Sequence, residues 1–89
     1  MELIVKGSFY RDIYHFKDKE LLNFIYVVIN ELASAKELNK IKNLKKLKEY
    51  ETLYRIKIAK DYRLGIIVRG NKIWLVSFAH RSNFYKNFP

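Results

Sequence analysis

Arg55, Lys57, Arg63 and Arg81 are the side chains of this sequence whose types and spacing best suit chemistry on a phosphate. Arg55 and Lys57 alternate with Tyr54, Ile56 and Ile58, so in a strand they share the face opposite those bulky residues. Arg63, Gly65 and Arg69 alternate in the same way with Leu64, Ile66 and Val68, and Ser77 and Ala79 with Trp74, Val76 and Phe78; Arg81 continues the Ser77/Ala79 parity. Set side by side in one sheet, these residues make a shallow face floored by small side chains and ringed by cations, as a single-stranded phosphate backbone requires. A planar guanidinium can hold two phosphate oxygens at once, which suits Arg63 and Arg81. The competing reading is a set of ordinary solvated charges, since exposed lysine and arginine are common.

His80 is the one residue of this half that titrates near neutral pH, which suits acid–base work. Its parity follows Val76 and Phe78, so it points to the apolar side or to the end of the sheet. His15 reads as structural. Two histidines without any cysteine make no metal motif, three glycines make no glycine-rich phosphate loop, and no paired carboxylates are evident. No metal and no cofactor is expected.

The chain supplies 18 Lys+Arg against 9 Asp+Glu, a net charge of +9, and no acidic side chain follows Asp61. That imbalance calls for a polyanionic partner: nucleic acid, an acidic protein or an anionic membrane surface. With 89 residues, 49% of them hydrophobic, one domain spanning 1–89 with one core is expected. The N-terminus carries no secretory pattern, and the longest apolar stretch, residues 24–29, falls far short of the roughly 20 residues of a membrane span. A soluble, cytoplasmic protein is expected.

The elements that must position the cations follow from periodicity. Residues 2–6 suit a short strand. Ser8 stands where a helix N-cap would, with Phe9, Ile13 and Phe16 behind it at helical spacing. Asp18 is a second N-cap, with Glu20 in the first turn. Leu21, Leu22, Ile25, Val28, Ile29 and Leu32 form one face of a helix ending near residues 33–35, and Phe24, Tyr26 and Val27 widen its apolar surface, which predicts a well-buried helix. The two helices read as an antiparallel pair joined at Lys17 and Asp18. Residues 36–51, a lysine-rich run that includes Lys46 and Lys48, read as a helical turn leading into a first central strand. Residues 53–59, 62–69 and 72–79 are strands, joined by a tight Lys60-Asp61 turn and a Gly70-Asn71 turn. The expected architecture is α+β in the order β-α-α-β-β-β: two N-terminal helices on one face of a twisted, mainly antiparallel sheet, the basic face open, and a short C-terminal helical turn.

Leu47-Lys48-Glu49-Tyr50, Tyr54-Arg55-Ile56-Lys57-Ile58 and Asp61-Tyr62-Arg63-Leu64-Gly65-Ile66 resemble the central hairpin of RelE/ParE-superfamily toxins. The tail, in which His80-Arg81 is followed four residues after the arginine by Tyr85, is similar to that of RelE-like mRNA interferases. The resemblance implies the toxin of a type II toxin–antitoxin pair: a metal-independent endoribonuclease, many relatives cutting mRNA in the ribosomal A site. The 2′-hydroxyl attacks the adjacent phosphate, the 5′-oxygen leaves and a 2′,3′-cyclic phosphate forms. It places the family's catalytic basic residues on Arg55, Lys57, Arg63 and Arg81, with the tail tyrosine at Tyr85; the candidate catalytic set is then Lys57, Arg63, Arg81, Tyr85 and His80, with RNA contacts expected at Arg55, Lys46, Lys48, Arg69 and Lys86. An acidic antitoxin, mRNA and the ribosome are the implied partners, with no membrane, and a monomer or a toxin–antitoxin hetero-oligomer is the implied assembly. Arg55 departs from relatives that carry lysine there; arginine stays charged, so it can bind phosphate but not serve as base. His80 precedes Arg81 where some relatives have another residue. Two other readings stay open: a ParE-like toxin that inhibits DNA gyrase without nuclease chemistry, and a non-catalytic RNA-binding module.

Overall fold

The computed structural model describes residues 1–89. The chain runs β1 (Glu2–Val5), α1 (Gly7–Tyr14), α2 (Lys19–Ser34), a 3₁₀ turn (Leu38–Lys40), β2 (Leu44–Lys46), β3 (Leu53–Ile58), β4 (Tyr62–Arg69), β5 (Lys72–His80) and α3 (Arg81–Asn87). The five strands form one sheet in the order β1-β5-β4-β3-β2, with β1 parallel to β5 and every other pair antiparallel. The α+β class and the two N-terminal helices match the sequence reading. The lysine-rich run differs from it. Its strand, β2, is a short outer edge rather than a central strand, consistent with lysines that discourage further pairing.

Asp18 caps α2 as its sequence position suggests, accepting from Glu20 N at 2.9 Å and Leu21 N at 3.2 Å. One stripe of α2, Leu21, Ile25 and Leu32, is buried against the sheet. Phe24, Tyr26 and Val27 point the other way and are exposed, so α2 is half-covered and not the fully buried helix expected. Ser8 does not cap α1. The cap position is Lys6, which makes no side-chain bond, and Ser8 Oγ donates instead to the Val76 carbonyl. Asp12 Oδ2 accepts from Phe78 N at 3.0 Å. These bonds have one cause: β1 ends at Val5, so the edge of β5 beyond Leu75 has no strand neighbour, and α1 side chains satisfy it.

The buried core is Phe9, Leu21, Ile25 and Leu32 from the helices against Ile56, Ile58, Leu64, Ile66, Val68, Ile73, Leu75 and Phe78 from the sheet. β3 and β4 obey simple alternation, but β5 does not. Gly65 pairs with Ser77 and Ile66 with Leu75, so Val76 is an extra residue in a β-bulge. The bulge shifts the parity by one, and Ile73 and Leu75 rather than Trp74 and Val76 face the helices. Trp74, paired to Ile67, is turned to the opposite face.

That opposite face is not fully open either. After β5 the chain turns into α3, which packs back on β4 and β5. Phe84 and Phe88 are buried there, Phe88 against Gly65. The space that Gly65, Ser77 and Ala79 seemed to leave for a ligand is thus taken at Gly65 by the chain's own C-terminal segment. No helix is long and apolar enough to cross a membrane.

Candidate nucleic-acid interface

The hairpin between β3 and β4 and the start of α3 bring four cations to one end of the sheet. Lys57 pairs with Arg63, and Arg63 with Ala79, so the two cations and the alanine form a row across three strands. The three-residue loop after β3 has left-handed backbone at Ala59 (φ 49°) and Lys60 (φ 66°), while Asp61 N donates to Ala59 O at 2.7 Å. The positive φ values thus fall on Ala59 and Lys60, one residue earlier than the Lys60-Asp61 turn expected. Neither residue is glycine, and left-handed backbone at other residues costs roughly 1–2 kcal/mol each and gathers at functional sites. Arg81 N donates to Asp61 O at 2.7 Å, tying α3 to this loop.

Lys57, Lys60, Asp61, Arg63 and Arg81 line a cavity of about 250 Å³ with no hydrophobic residue in its wall. Arg63 forms its floor and is 9% exposed. Its Nη1 donates to the carbonyls of Lys60 at 2.8 Å and Tyr62 at 2.9 Å, while Nε is buried without a partner. Burying a charge without a counter-ion is costly, so this guanidinium is suited to an anion it does not hold within the fold. The sequence-level alternative of an ion pair with Glu49 or Glu51 is not what forms. The one ion pair of the protein is Arg81 Nε to Asp61 Oδ1 at 3.4 Å, between side chains 62% and 46% exposed.

Other proposed residues stand apart from this cavity. Tyr85 lies one turn along α3 from Arg81 and is 55% exposed, so its ring is free to stack. Arg55 is in the row of Gly65 and Ser77, next to the cavity along the strand. His80 is not among the lining residues. It packs edge-on against Tyr62 with centroids 5.4 Å apart, and its Nδ1 accepts from Ser82 N at 3.1 Å as the cap of α3. Arg69 pairs with Lys72 at the other end of β4, about 20 Å from Arg63 at the usual strand rise. Lys46 faces the helix side opposite Tyr54 and donates to Tyr50 O at 2.9 Å; Lys45, opposite Arg55, is the lysine of β2 on the cationic face. Lys48 is exposed in the turn after β2, and Lys86 on α3. Lys45 and Lys60 were missed by the sequence reading, the first through the register of β2, the second through the loop conformation.

A larger cleft of about 400 Å³ lies between α1 and the bulge of β5, but its cation Arg11 neighbours Asp12, whose carboxylate is already engaged with Phe78 N. No cluster of three or more His, Asp and Glu side chains is present.

The Arg81–Asp61 contact yields a direct expectation. Exposed ion pairs contribute at most ~1 kcal/mol. Asp61→Asn removes a carboxylate from the cavity wall yet leaves the Asp61 carbonyl to accept from Arg81 N. RNA affinity at low salt should rise about two- to fivefold with little change in thermal stability, as titration with a fluorescent oligoribonucleotide would measure. Unchanged or weaker binding would place RNA elsewhere.

No protein-family model matches the chain. Over 90 residues covering the whole of both proteins, it is 32% identical to Toxin RelE3 of Methanocaldococcus jannaschii. The toxin fold in the RelB–RelE antitoxin–toxin complex from Methanococcus jannaschii superposes with a TM-score of 0.81 at 30% identity, covering 97% of this chain and 99% of that one. YoeB from Staphylococcus aureus, solved as a dimer, shares the fold with a TM-score of 0.69 at 22% identity, over 86% of this chain and 92% of that one. With a relative this similar over its full length, and the same strand and helix order, the chain belongs to the RelE family of toxins.

Proposed function

We propose that this protein is the toxin of a type II toxin–antitoxin pair and an endoribonuclease acting on mRNA. The observation that carries the reading is the all-polar cavity of about 250 Å³ in which Lys57, Lys60, Arg63 and Arg81 stand with the single carboxylate of Asp61, with a buried Arg63 Nε left unpartnered. Attack of the 2′-oxygen on phosphorus builds a pentacoordinate phosphorane with extra negative charge. Preorganised cations stabilise that charge without rearranging during the step, and this is the largest single catalytic effect such a site can supply. The 2′-hydroxyl gives up its proton as it attacks, the bond to the 5′-oxygen then breaks and that oxygen takes up a proton, leaving a 2′,3′-cyclic phosphate and a 5′-hydroxyl. Arg63 and Arg81 suit phosphate because each guanidinium offers a fork of donors. Tyr85 offers a base-stacking face beside Arg81. Because the cavity's own cations carry the charge stabilisation, the reaction runs without a metal. The partner is a cognate antitoxin, as RelB is for the toxin relative in the Methanococcus complex, and the chain's net charge of +9 suits an acidic one. The site of action is the cytoplasm, on mRNA engaged by the ribosome. A gyrase-directed toxin would have no use for a phosphate cavity, and the full-length relative above is named Toxin RelE3.

The test is to add purified protein to a translation extract and map new mRNA 3′ ends. Cuts within translated codons that carry cyclic phosphate are the expected result. Intact message with translation unimpaired would overturn the reading and direct attention to gyrase supercoiling.

A further inference from the structure

Gly65 sits at mid-strand in β4, between Arg55 and Ser77, and is buried. A glycine there weakens a strand and needs a reason. No positive φ supplies one, because Gly70 is the glycine with left-handed backbone. Phe88 supplies it. A Cβ on Gly65 would stand 2.9 Å from Phe88 Cδ1 and 3.0 Å from both Cδ2 and Cε1, so the ring lies nearly flat on the glycine. Phe88 is 3% exposed, its ring centroid is 5.2 Å from that of Phe84, and its N–H donates to Phe84 O at 3.0 Å.

The helix that ends at Phe88 is the one that carries Arg81 and Tyr85. With seven residues, α3 is far too short to hold its own conformation or place. Its start is fixed by Arg81 N on Asp61 O and by the His80 cap, and its far end by the two phenylalanines. Arg81 and Tyr85 occupy one stripe of the helix, and Phe84 and Phe88 the neighbouring stripe that is buried. We infer that the seating of Phe88 on Gly65 is a positioning device for the ribonuclease site: it sets the orientation of α3 and so holds Arg81 against the Lys57–Arg63 cavity and Tyr85 beside it. The inference rests on the ribonuclease reading. Phe88 and Gly65 are positioning residues, since neither lines the cavity.

Five proteins test it: wild type, Phe88→Ala, Phe88→Leu, Gly65→Ala and the Gly65→Ala/Phe88→Ala double variant, each measured for kcat and KM in mRNA cleavage and for hydrogen exchange at the residue-88 amide. A displacement near 1 Å of a catalytic group costs on the order of 10²-fold in rate. Phe88→Ala should lower kcat by about 10- to 100-fold with KM little changed, and should speed exchange of the residue-88 amide, while Phe88→Leu restores most of the rate. Gly65→Ala should do the same by lifting the ring. Because both act on one seat, the double variant should lose no more than the worse single variant. A Phe88→Ala enzyme with wild-type kcat, or losses that multiply in the double variant, would overturn the inference. Should Gly65→Ala fail to fold, Phe88→Ala and Phe88→Leu, altered beyond the last strand, decide alone. If wild type itself cuts no RNA, the ribonuclease reading falls, and the positioning role with it.

Discussion

Arg81→Ala should lower kcat for mRNA cleavage by about 10²–10³, the usual loss when one preorganised donor to a developing charge is removed. Arg81 opens α3 and reaches the cavity from above Asp61, with a side chain 62% exposed. Its backbone bond to the Asp61 carbonyl survives the substitution, and the side-chain ion pair it loses is worth at most ~1 kcal/mol. Folding should therefore be almost untouched, and the lost rate should be a lost interaction with the phosphorane. Arg81→Lys should recover only part of the rate, because an ammonium supplies the charge without the two-pronged geometry. Initial rates of 3′-end formation at saturating message, beside thermal melts of each variant, would measure this. Wild-type cleavage by Arg81→Ala would remove the residue from the mechanism and leave Lys57, Lys60 and Arg63 to carry the charge.

The cationic row was legible in the sequence because β3 and β4 alternate without interruption: Lys57 and Arg63 share a face for the same reason that Ile56 and Leu64 share the other. The Asp18 cap, the Gly70 turn and the buried stripe of α2 were legible through equally local signals. What could not be read depends on contacts between distant segments. Nothing in the residues around Val76 announces a bulge, so alternation carried back from Phe78 put Trp74 and Val76 on the wrong side. Phe84 and Phe88 at helical spacing and the small Gly65 were all visible, but that one covers the other is a fact of tertiary structure. Lys45 and Lys46 are neighbours in sequence, and only the register of β2 against Arg55 and Tyr54 tells them apart. His80 drew interest as a titratable group, yet its ring nitrogen is engaged in starting α3. Arg63 was expected on an exposed face and is instead buried, its Nη1 on the Lys60 and Tyr62 carbonyls.

That burial makes Arg63→Met the most discriminating substitution. A cation that is 9% exposed, among Lys57, Lys60 and Arg81 and without an acidic partner of its own, opposes folding through desolvation and like-charge repulsion. Methionine has a similar length, fills the same space and removes the unpartnered Nε. The fold loses the two bonds from the charged Nη1 to the Lys60 and Tyr62 carbonyls, each worth roughly 1.5–3 kcal/mol. It gains relief of an unsatisfied buried donor, worth about 1–3 kcal/mol, and of the desolvation and like-charge repulsion of a buried cation, on the order of several kcal/mol. These nearly cancel, so the melting temperature should hold or rise slightly, whereas Leu64→Ala, one residue along β4 in the core, should cost about 2–5 kcal/mol. Cleavage should move the opposite way: Arg63→Met should lose about 10²–10³ in kcat, because the cavity loses one of its preorganised cations. A stable, inactive Arg63→Met protein beside a destabilised Leu64→Ala protein that still cuts per folded molecule would mark Arg63 as a residue kept for chemistry at the expense of the fold. A collapse in melting temperature with cleavage intact per folded molecule would instead make Arg63 a structural tie between the Lys60 loop and β4.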